Sequence, residues 1–471
     1  MTAEREPSLT ARALQEGLPR QYSTILKMGA IAILGLLLLI PLVFVHSILA
    51  ERLSRRDQTI KEITSTWGNA QVIVGPVLIL PYTYTRKVLR DRTVNARVEQ
   101  VEVDESARAR AFFLPTAFKA DARLTPGRLY RGIYEAVVYG GTVRITGSFG
   151  RPSFEELGET PQQILWDEAE IAVAITDLRG AKESLEVKLG NDVVPLKPGA
   201  RIDGFAGGTY ARIRGLGPQI QTIPFEMALT FNGSRSLRFA PVGVNNDVQV
   251  ASVWPDPSFQ GAFLPVERRV GPEGFDAHWQ VSYYGRSYPQ QWTDKNPVTA
   301  ALITETLFGV DLVSVVDSYR FVERSIKYGI LLIALLFTCF FLFEVMAELR
   351  IHPFQYTLVG MALCLFYLAL LALSEIMQLS IAYWTGAAAA TVMITLYSAK
   401  ALRGGRRAVV VAVGLPVVYA FLFIILRLQD YSLLIGTAGL FLVLGLVMYL
   451  TRNMDWYTGR NRKPDSTSRV P

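Results

Sequence analysis

The chain has 471 residues, half of them hydrophobic, and a formal charge of +7. Residues 51–324 hold 32 Lys/Arg and 32 Asp/Glu, so the remainder, with 16 basic and 9 acidic residues, carries the whole excess. That placement points to membrane orientation and away from nucleic-acid binding. Three histidines (His46, His278, His352) exclude a histidine-cluster metal centre, and two cysteines (Cys339, Cys364), both in apolar runs, read as packing residues and not as a disulfide.

In chain order, residues 1–24 are polar, contain Pro7, Gly17 and Pro19, and read as a cytoplasmic tail. Residues 25–50 form a first apolar run, longer than a signal-peptide core and without a small residue two before Ala50, so an uncleaved membrane anchor is expected, with Pro41 as a kink site. A helical extension over 52–63 should follow it.

From there to 327 the pattern is that of strands. The β-branched run 72–80 is broken by Gly75-Pro76, and further strand-like runs cover 110–114, 133–149, 170–176, 226–231, 248–253 and 277–283, punctuated by Gly, Pro and Asn. Val94, Ala96 and Val98 alternate in one phase and Val101 and Val103 in the other, which predicts a bulge or bend between them. This spacing without long amphipathic helices predicts an antiparallel, sandwich-like β-domain over 51–327. One helix, 297–308, with Pro297 at its start, is expected before the membrane.

Five apolar runs follow, at 328–347, 354–373, 379–397, 408–426 and 432–450. Each is about 20 residues, the length an α-helix needs to cross about 30 Å of hydrocarbon. The fold class is therefore an α+β membrane protein: six transmembrane helices, one N-terminal and five C-terminal (328–450), with the β-domain inserted between helices 1 and 2 and a cytoplasmic tail at 451–471. Arg5, Arg12, Arg20, Lys27, Arg350, Lys400, Arg403, Arg406, Arg407, Arg452, Arg460, Arg462, Lys463 and Arg469 fall on one side of such a bundle and only Arg427 in the short loops of the other. The positive-inside rule then places both termini in the cytoplasm and the β-domain in the periplasm, against the lone counter-signal of Arg52, Arg55 and Arg56.

No nucleophile elbow, zinc-protease helix, phosphate-binding loop or paired-cysteine motif occurs. Gly204, Gly207, Gly208, Gly215 and Gly217 read as turns, and Asp177-Leu178-Arg179-Gly180 as a structured turn after a strand. The best chemical candidate is Glu344, Glu348 and His352, whose spacing of four would place all three on one helix face at the inner end of the second membrane helix. Carboxylates and an imidazole there suit metal binding or proton movement; the plainer reading is interfacial residues where the helix leaves the lipid. No ionisable residue sits near the centre of any apolar run, which weakens an ion-coupled transport reading. Trp254, Trp279 and Trp292 read as core residues first and contact residues second.

Several strings resemble the CreD family of inner-membrane proteins: GPVLILPY (75–82), RGIYEAVVY (131–139), DLRG (177–180), PSFQGAFLP (257–265), KYGILLI (327–333), FFLFE (340–344), RIHPFQYTLVG (350–360) and VMYLTRNMDWY (447–457). Val315 departs from the family pattern, where proline is expected. The resemblance implies an integral inner-membrane protein linked to cell-envelope integrity, with expression tied to a two-component sensing system, and brings no catalytic residues. No catalytic residue, cofactor or metal ligand is therefore assigned. The expected partners are the lipid bilayer and an envelope protein or ligand met by the β-domain, with no nucleic acid. A membrane-embedded enzyme or transporter acting on a lipid or small envelope molecule is the alternative.

Overall fold

The computed structural model describes residues 20–94, 97–181, 185–313, 318–346, 351–402, 405–428 and 431–452. Residues 1–19 and 453–471 of the two tails, Ala96, Val315, Glu348, Arg350, Arg403 and Asp430 lie outside the described residues, while residues 20–24, read as tail, already belong to a helix. The chain divides into a helical unit (1–55 and 317–471) and a β-unit (56–316).

The helical unit begins with α1 (Arg20–Leu37) and α2 (Leu39–Trp67), interrupted only at Leu38; from Arg56 on, α2 belongs to the β-unit. Pro41 explains the interruption, because its ring clashes with the carbonyl four residues earlier and removes one donor. The apolar face of α2 then gives way to Glu51, Arg52, Arg55 and Arg56, and the helix continues past residue 63 to Trp67. In the β-unit lies the short helix α3 (Ala300–Glu305); the helical unit resumes with α4 (Ser318–Lys327), α5 (Gly329–Met346), α6 (Pro353–Ser374), α7 (Leu379–Ala401), α8 (Gly405–Arg427) and α9 (Ser432–Thr451). Six helices are long and apolar enough to cross a membrane, one near the N-terminus and five toward the C-terminus.

The bundle packs on small-residue contacts. Leu38 lies against Gly360 of α6 so closely that a Cβ at Gly360 would overlap its side chain. The Cys364 thiol points at the Leu38 carbonyl from 3.8 Å, and both cysteines are free. Phe366 of α6 meets Tyr383 of α7 edge to face and Tyr419 of α8 at a tilt, and the Tyr383 hydroxyl donates to the Tyr419 carbonyl at 2.7 Å. No described residue of α9 is buried.

The β-unit contains β1 (Gln71–Val94), β2 (Arg97–Phe113), β3 (Ala117–Arg131), β4 (Tyr134–Gly150), β5 (Gln163–Ile164), β6 (Glu170–Ile175), β7 (Glu186–Leu189), β8 (Asp192–Pro195), β9 (Lys197–Pro198), β10 (Thr209–Arg212), β11 (Thr222–Ser234), β12 (Ser236–Phe239), β13 (Asn245–Ser252), β14 (Pro257–Gly261), β15 (Glu267–Gly271), β16 (Gly274–Ser282), β17 (Gln291–Thr293) and β18 (Phe308–Leu312). They form a ten-stranded sheet, β14-β18-β12-β1-β6-β10-β9 with β2, β5 and β17 beside it, and an eight-stranded sheet, β15-β16-β13-β3-β4-β11-β7-β8. One cluster of buried side chains joins both sheets, with Tyr82, Phe112, Phe149, Phe231, Trp279 and Phe308 among its largest members. Alternation along β11 and β16 turns every second residue inward, whereas β6 is buried on both faces.

Three local expectations change. Most strand pairs are antiparallel, but β1 pairs with β12 and β13 with β3 in parallel. The hairpin of β1 and β2 keeps one register from Leu78↔Phe113 to Val94↔Arg97, so no bulge falls between 98 and 101; Val101 and Val103 are exposed, and no buried face fixes a phase there. The register shift falls at Gly75-Pro76, between Val74 and Val77 on β6. The helix expected over 297–308 shrinks to Ala300–Glu305 because Phe308–Leu312 is drawn into the ladder between β12 and β14. Gly309 permits that pairing: a Cβ there would overlap the Leu237 carbonyl.

Candidate functional site

The structure separates Glu344 from His352, two of the three residues that the sequence spacing brings together; Glu348 lies outside the described residues. Glu344 belongs to α5, whereas Ile351 and His352 are non-helical and Pro353 opens a new helix, so the two are not on one helix face. His352 is the N-cap of α6: its Nδ1 accepts from the Phe354 amide at 3.2 Å, while its own amide donates to Gln355 Oε1 at 3.1 Å. This reciprocal capping box satisfies amides that the first helical turn leaves unpaired. It commits Nδ1 and leaves Nε2 outside the cap.

Glu344 is only 7% exposed. Its Oε1 accepts from the Ile351 amide at 3.1 Å and its Oε2 from the Tyr356 hydroxyl at 3.0 Å. Burying a carboxylate is costly unless such donors replace water. Here the donors come from the segment that turns the chain from α5 into α6 and from the first turns of α6, and Phe337 and Phe340 pack edge-on against the Tyr356 ring. The arrangement ties a turn; it leaves neither carboxylate oxygen without a partner. Glu375, at the other end of α6, is held by the Tyr319 hydroxyl at 3.1 Å and by Arg52 at 3.7 Å. Among the described residues no group of three or more His, Cys, Asp or Glu side chains is arranged to hold a metal.

The DLRG turn is a clamp within the β-unit. Asp177 accepts from the Asn69 amide (3.1 Å), Asn69 Nδ2 (3.0 Å), the Arg179 amide (3.0 Å), Arg179 Nε (3.0 Å) and a terminal Arg179 nitrogen (2.7 Å). Those donors, the Arg179 side chain foremost, outweigh burial and lower its pKa from 3.8 to about 2. Gln71 extends the network: its side chain donates to the Asp177 and Asn232 carbonyls, each at 2.9 Å, and accepts from the Asp177 amide at 3.2 Å. Gly180 and Gly233 lie so close to Asn232 and Tyr139 that a Cβ at either would overlap them. Trp67, the last residue of α2, donates to the Tyr139 carbonyl at 3.3 Å, so the clamp fastens the end of that helix to both sheets.

The three tryptophans are core residues. Trp279 is fully buried and donates to the Phe263 carbonyl, Trp254 donates to the Val313 carbonyl, and Trp292 stacks on Phe112 with ring centres 5.4 Å apart. What the sequence reading missed is a cleft of about 970 Å³ where the ends of the two sheets meet. Its residues come from β6, the β7–β8 hairpin, β9, β10 and the segment leading into β11. Gly215 of the glycine cluster lines it, and Gly204 and Gly215 take left-handed turns, at φ +82° and +72°, as the turn reading expects.

A family model, described as inner membrane protein CreD, matches residues 23–457. The chain belongs to the CreD family. Inner membrane protein CreD of Escherichia coli (strain K12) is 30% identical over 423 residues, covering 90% of this chain and 91% of that protein. Among solved structures, native yeast LTA4 hydrolase aligns with 42% of this chain and 30% of its own at 10% identity and a TM-score of 0.18, a likeness that carries no argument about fold or activity. The bestatin complex of the same enzyme gives 7% identity over 36% of this chain and 27% of that one, with a TM-score of 0.17.

Proposed function

We propose that this CreD-family membrane protein supports cell-envelope integrity and the response to envelope stress without catalysing a reaction, and that its β-domain, in the periplasm, is the part that meets an envelope partner. Both termini lie in the cytoplasm in this reading. The observation that carries it is the use of Glu344: the buried carboxylate is committed to the Ile351 amide and the Tyr356 hydroxyl, and His352 to a helix cap. The uneven distribution of Lys and Arg among the short segments supports the orientation.

A buried acid in a membrane helix favours the second reading, a membrane-embedded enzyme or transporter acting on a lipid or small envelope molecule. Complementation separates the two. Cells lacking the gene are challenged with detergent and a cell-wall antibiotic, then given the whole chain or a Glu344→Gln, His352→Ala variant at matched membrane level. Full rescue by the variant supports the non-enzymatic reading. Failure of a stably inserted variant supports the enzyme or transporter.

A further inference from the structure

The cleft at the sheet ends has a composition unlike the rest of the β-unit. Over residues 51–324 basic and acidic residues cancel, 32 against 32. The cleft, by contrast, gathers Lys197, Arg201, Arg212 and Arg214 against Glu170 and Asp192, a surplus of two positive charges.

Strand register explains how they meet. In the ladder between β10 and β9, Tyr210 stands opposite Lys197, and in the ladder between β10 and β6, Arg212 stands opposite Glu170. Tyr210 and Arg212 are two residues apart and therefore project from the same face of the sheet. Lys197, Tyr210 and Arg212 thus form one floor. Arg201 lies over it, its guanidinium 4.0 Å from the Tyr210 ring centre and its Nε 3.2 Å from Glu170. Gly199 is required for this stack, since its φ is +158° and a Cβ would press on the Tyr210 ring at 2.9 Å. Arg212 is aimed by its Nε, which donates to the Asp167 carbonyl at 2.7 Å.

The floor's own acid is therefore occupied, while of its cations Arg212 spends only its Nε, on a backbone carbonyl. Glu170 is taken by Arg201, and among the described residues neither Lys197 nor Arg214 has an ion pair or hydrogen bond. The opposite wall is the β7–β8 hairpin, which presents Val193, 58% exposed, from the terminal strand of the other sheet. Unpaired cations in a concave, partly apolar wall attract anions more strongly than the same charges on a flat surface. Guanidinium groups match the geometry of phosphate and carboxylate oxygens. The volume stands at the upper end of the roughly 300–1,000 Å³ typical of small-ligand sites.

We propose that this cleft binds an anionic envelope ligand through its phosphate or carboxylate oxygens, with Lys197, Arg212 and Arg214 as the contacting cations and Val193 as the apolar wall. The proposal rests on the reading that the β-domain meets the envelope, and it names the chemistry of that meeting. Arg201 and Tyr210 are positioning residues: they neutralise Glu170 and hold the floor flat.

The test is calorimetric titration of the purified full-length protein in detergent at low salt, with sodium tripolyphosphate as the phosphate probe and trigalacturonic acid as the carboxylate probe. The expected result is saturable binding of at least one probe with a Kd of about 1 mM or tighter. It should weaken about tenfold in Lys197→Gln, Arg214→Gln, substitutions that break no contact of the fold, and fall with added salt. A control, Arg268→Gln, Arg269→Gln on exposed β15, should bind as the parent does. Preference for one probe identifies the oxygen source. Binding of neither probe, or equal affinity in the cleft variant and the parent, overturns the proposal. The readout is independent of cell survival, so its failure is distinguishable from a failed complementation.

Discussion

Asp177→Asn should weaken the β-unit by about 2–4 kcal/mol, the cost expected when a buried, charge-assisted network loses its acceptor. The substitution keeps the shape but replaces one carboxylate oxygen with a donor that faces other donors: either the Arg179 amide and Nε, or the Asn69 groups and the terminal Arg179 nitrogen. The pKa gives an independent magnitude. A carboxyl 4% exposed, with its value lowered from 3.8 to about 2, contributes roughly 2 kcal/mol to the folded state. Arg179 is 58% exposed, so solvent screens part of that pair and the lower end of the range is favoured. Because the folded-state value is the depressed one, the contribution is complete above the ordinary 3.8 and is lost as pH falls through about 2. The assay is denaturant unfolding of the full-length protein in detergent, followed by tryptophan fluorescence, with Trp67 directly beside the clamp. A variant within about 0.5 kcal/mol of the parent would refute the reasoning. So would parent and variant that lose stability in parallel as the pH falls from 4 to 2.

Tyr356→Phe removes the hydroxyl on Glu344 Oε2 and should cost about 1–2 kcal/mol in thermal unfolding of the detergent-solubilised protein without loss of rescue in cells. Trp279→Ala empties a fully buried site between Phe259 and Phe308, and should cost about 3–5 kcal/mol, read as accelerated proteolysis of the β-unit. Gly233→Ala places a methyl group in the Tyr139 ring and should cost about 1–3 kcal/mol, whereas Gly140→Ala, where a Cβ meets open space, should cost less; paired unfolding curves compare them.

The membrane helices were legible because length and hydropathy act residue by residue: five C-terminal runs predicted from composition are α5 to α9. Pro41 likewise announced the interruption at Leu38. The individual strands were legible from their period of two, but their neighbours were not. The parallel pairs β1–β12 and β3–β13 join segments more than 100 residues apart, and nothing in local alternation records such a partner. Residues 308–312 failed for the same reason: the ladder with β12 and β14 overrides a helical reading begun at Pro297.

The candidate site was legible in its residues and not in its geometry. A spacing of four gives one face only if the helix continues, and Ile351 and His352 are non-helical, with His352 and Pro353 opening the next helix. The DLRG turn kept its predicted character, although its donors Asn69 and Gln71 lie more than 100 residues away in sequence. The cleft gave no linear signal at all, because its cations are spread over three short segments that only the registers of β6, β9 and β10 align.

The account depends most directly on the β-domain facing out of the cytoplasm, and cysteine labelling measures it. In a chain with Cys339 and Cys364 replaced by serine, single cysteines are placed at Lys87, exposed on the β1–β2 hairpin, and at Arg406, exposed at the start of α8. An impermeant maleimide is added to cells with a permeabilised outer membrane. Lys87→Cys should be labelled while the inner membrane is intact, and Arg406→Cys only after lysis. The reverse pattern would place the β-domain in the cytoplasm, out of reach of any envelope partner, and would contradict the account.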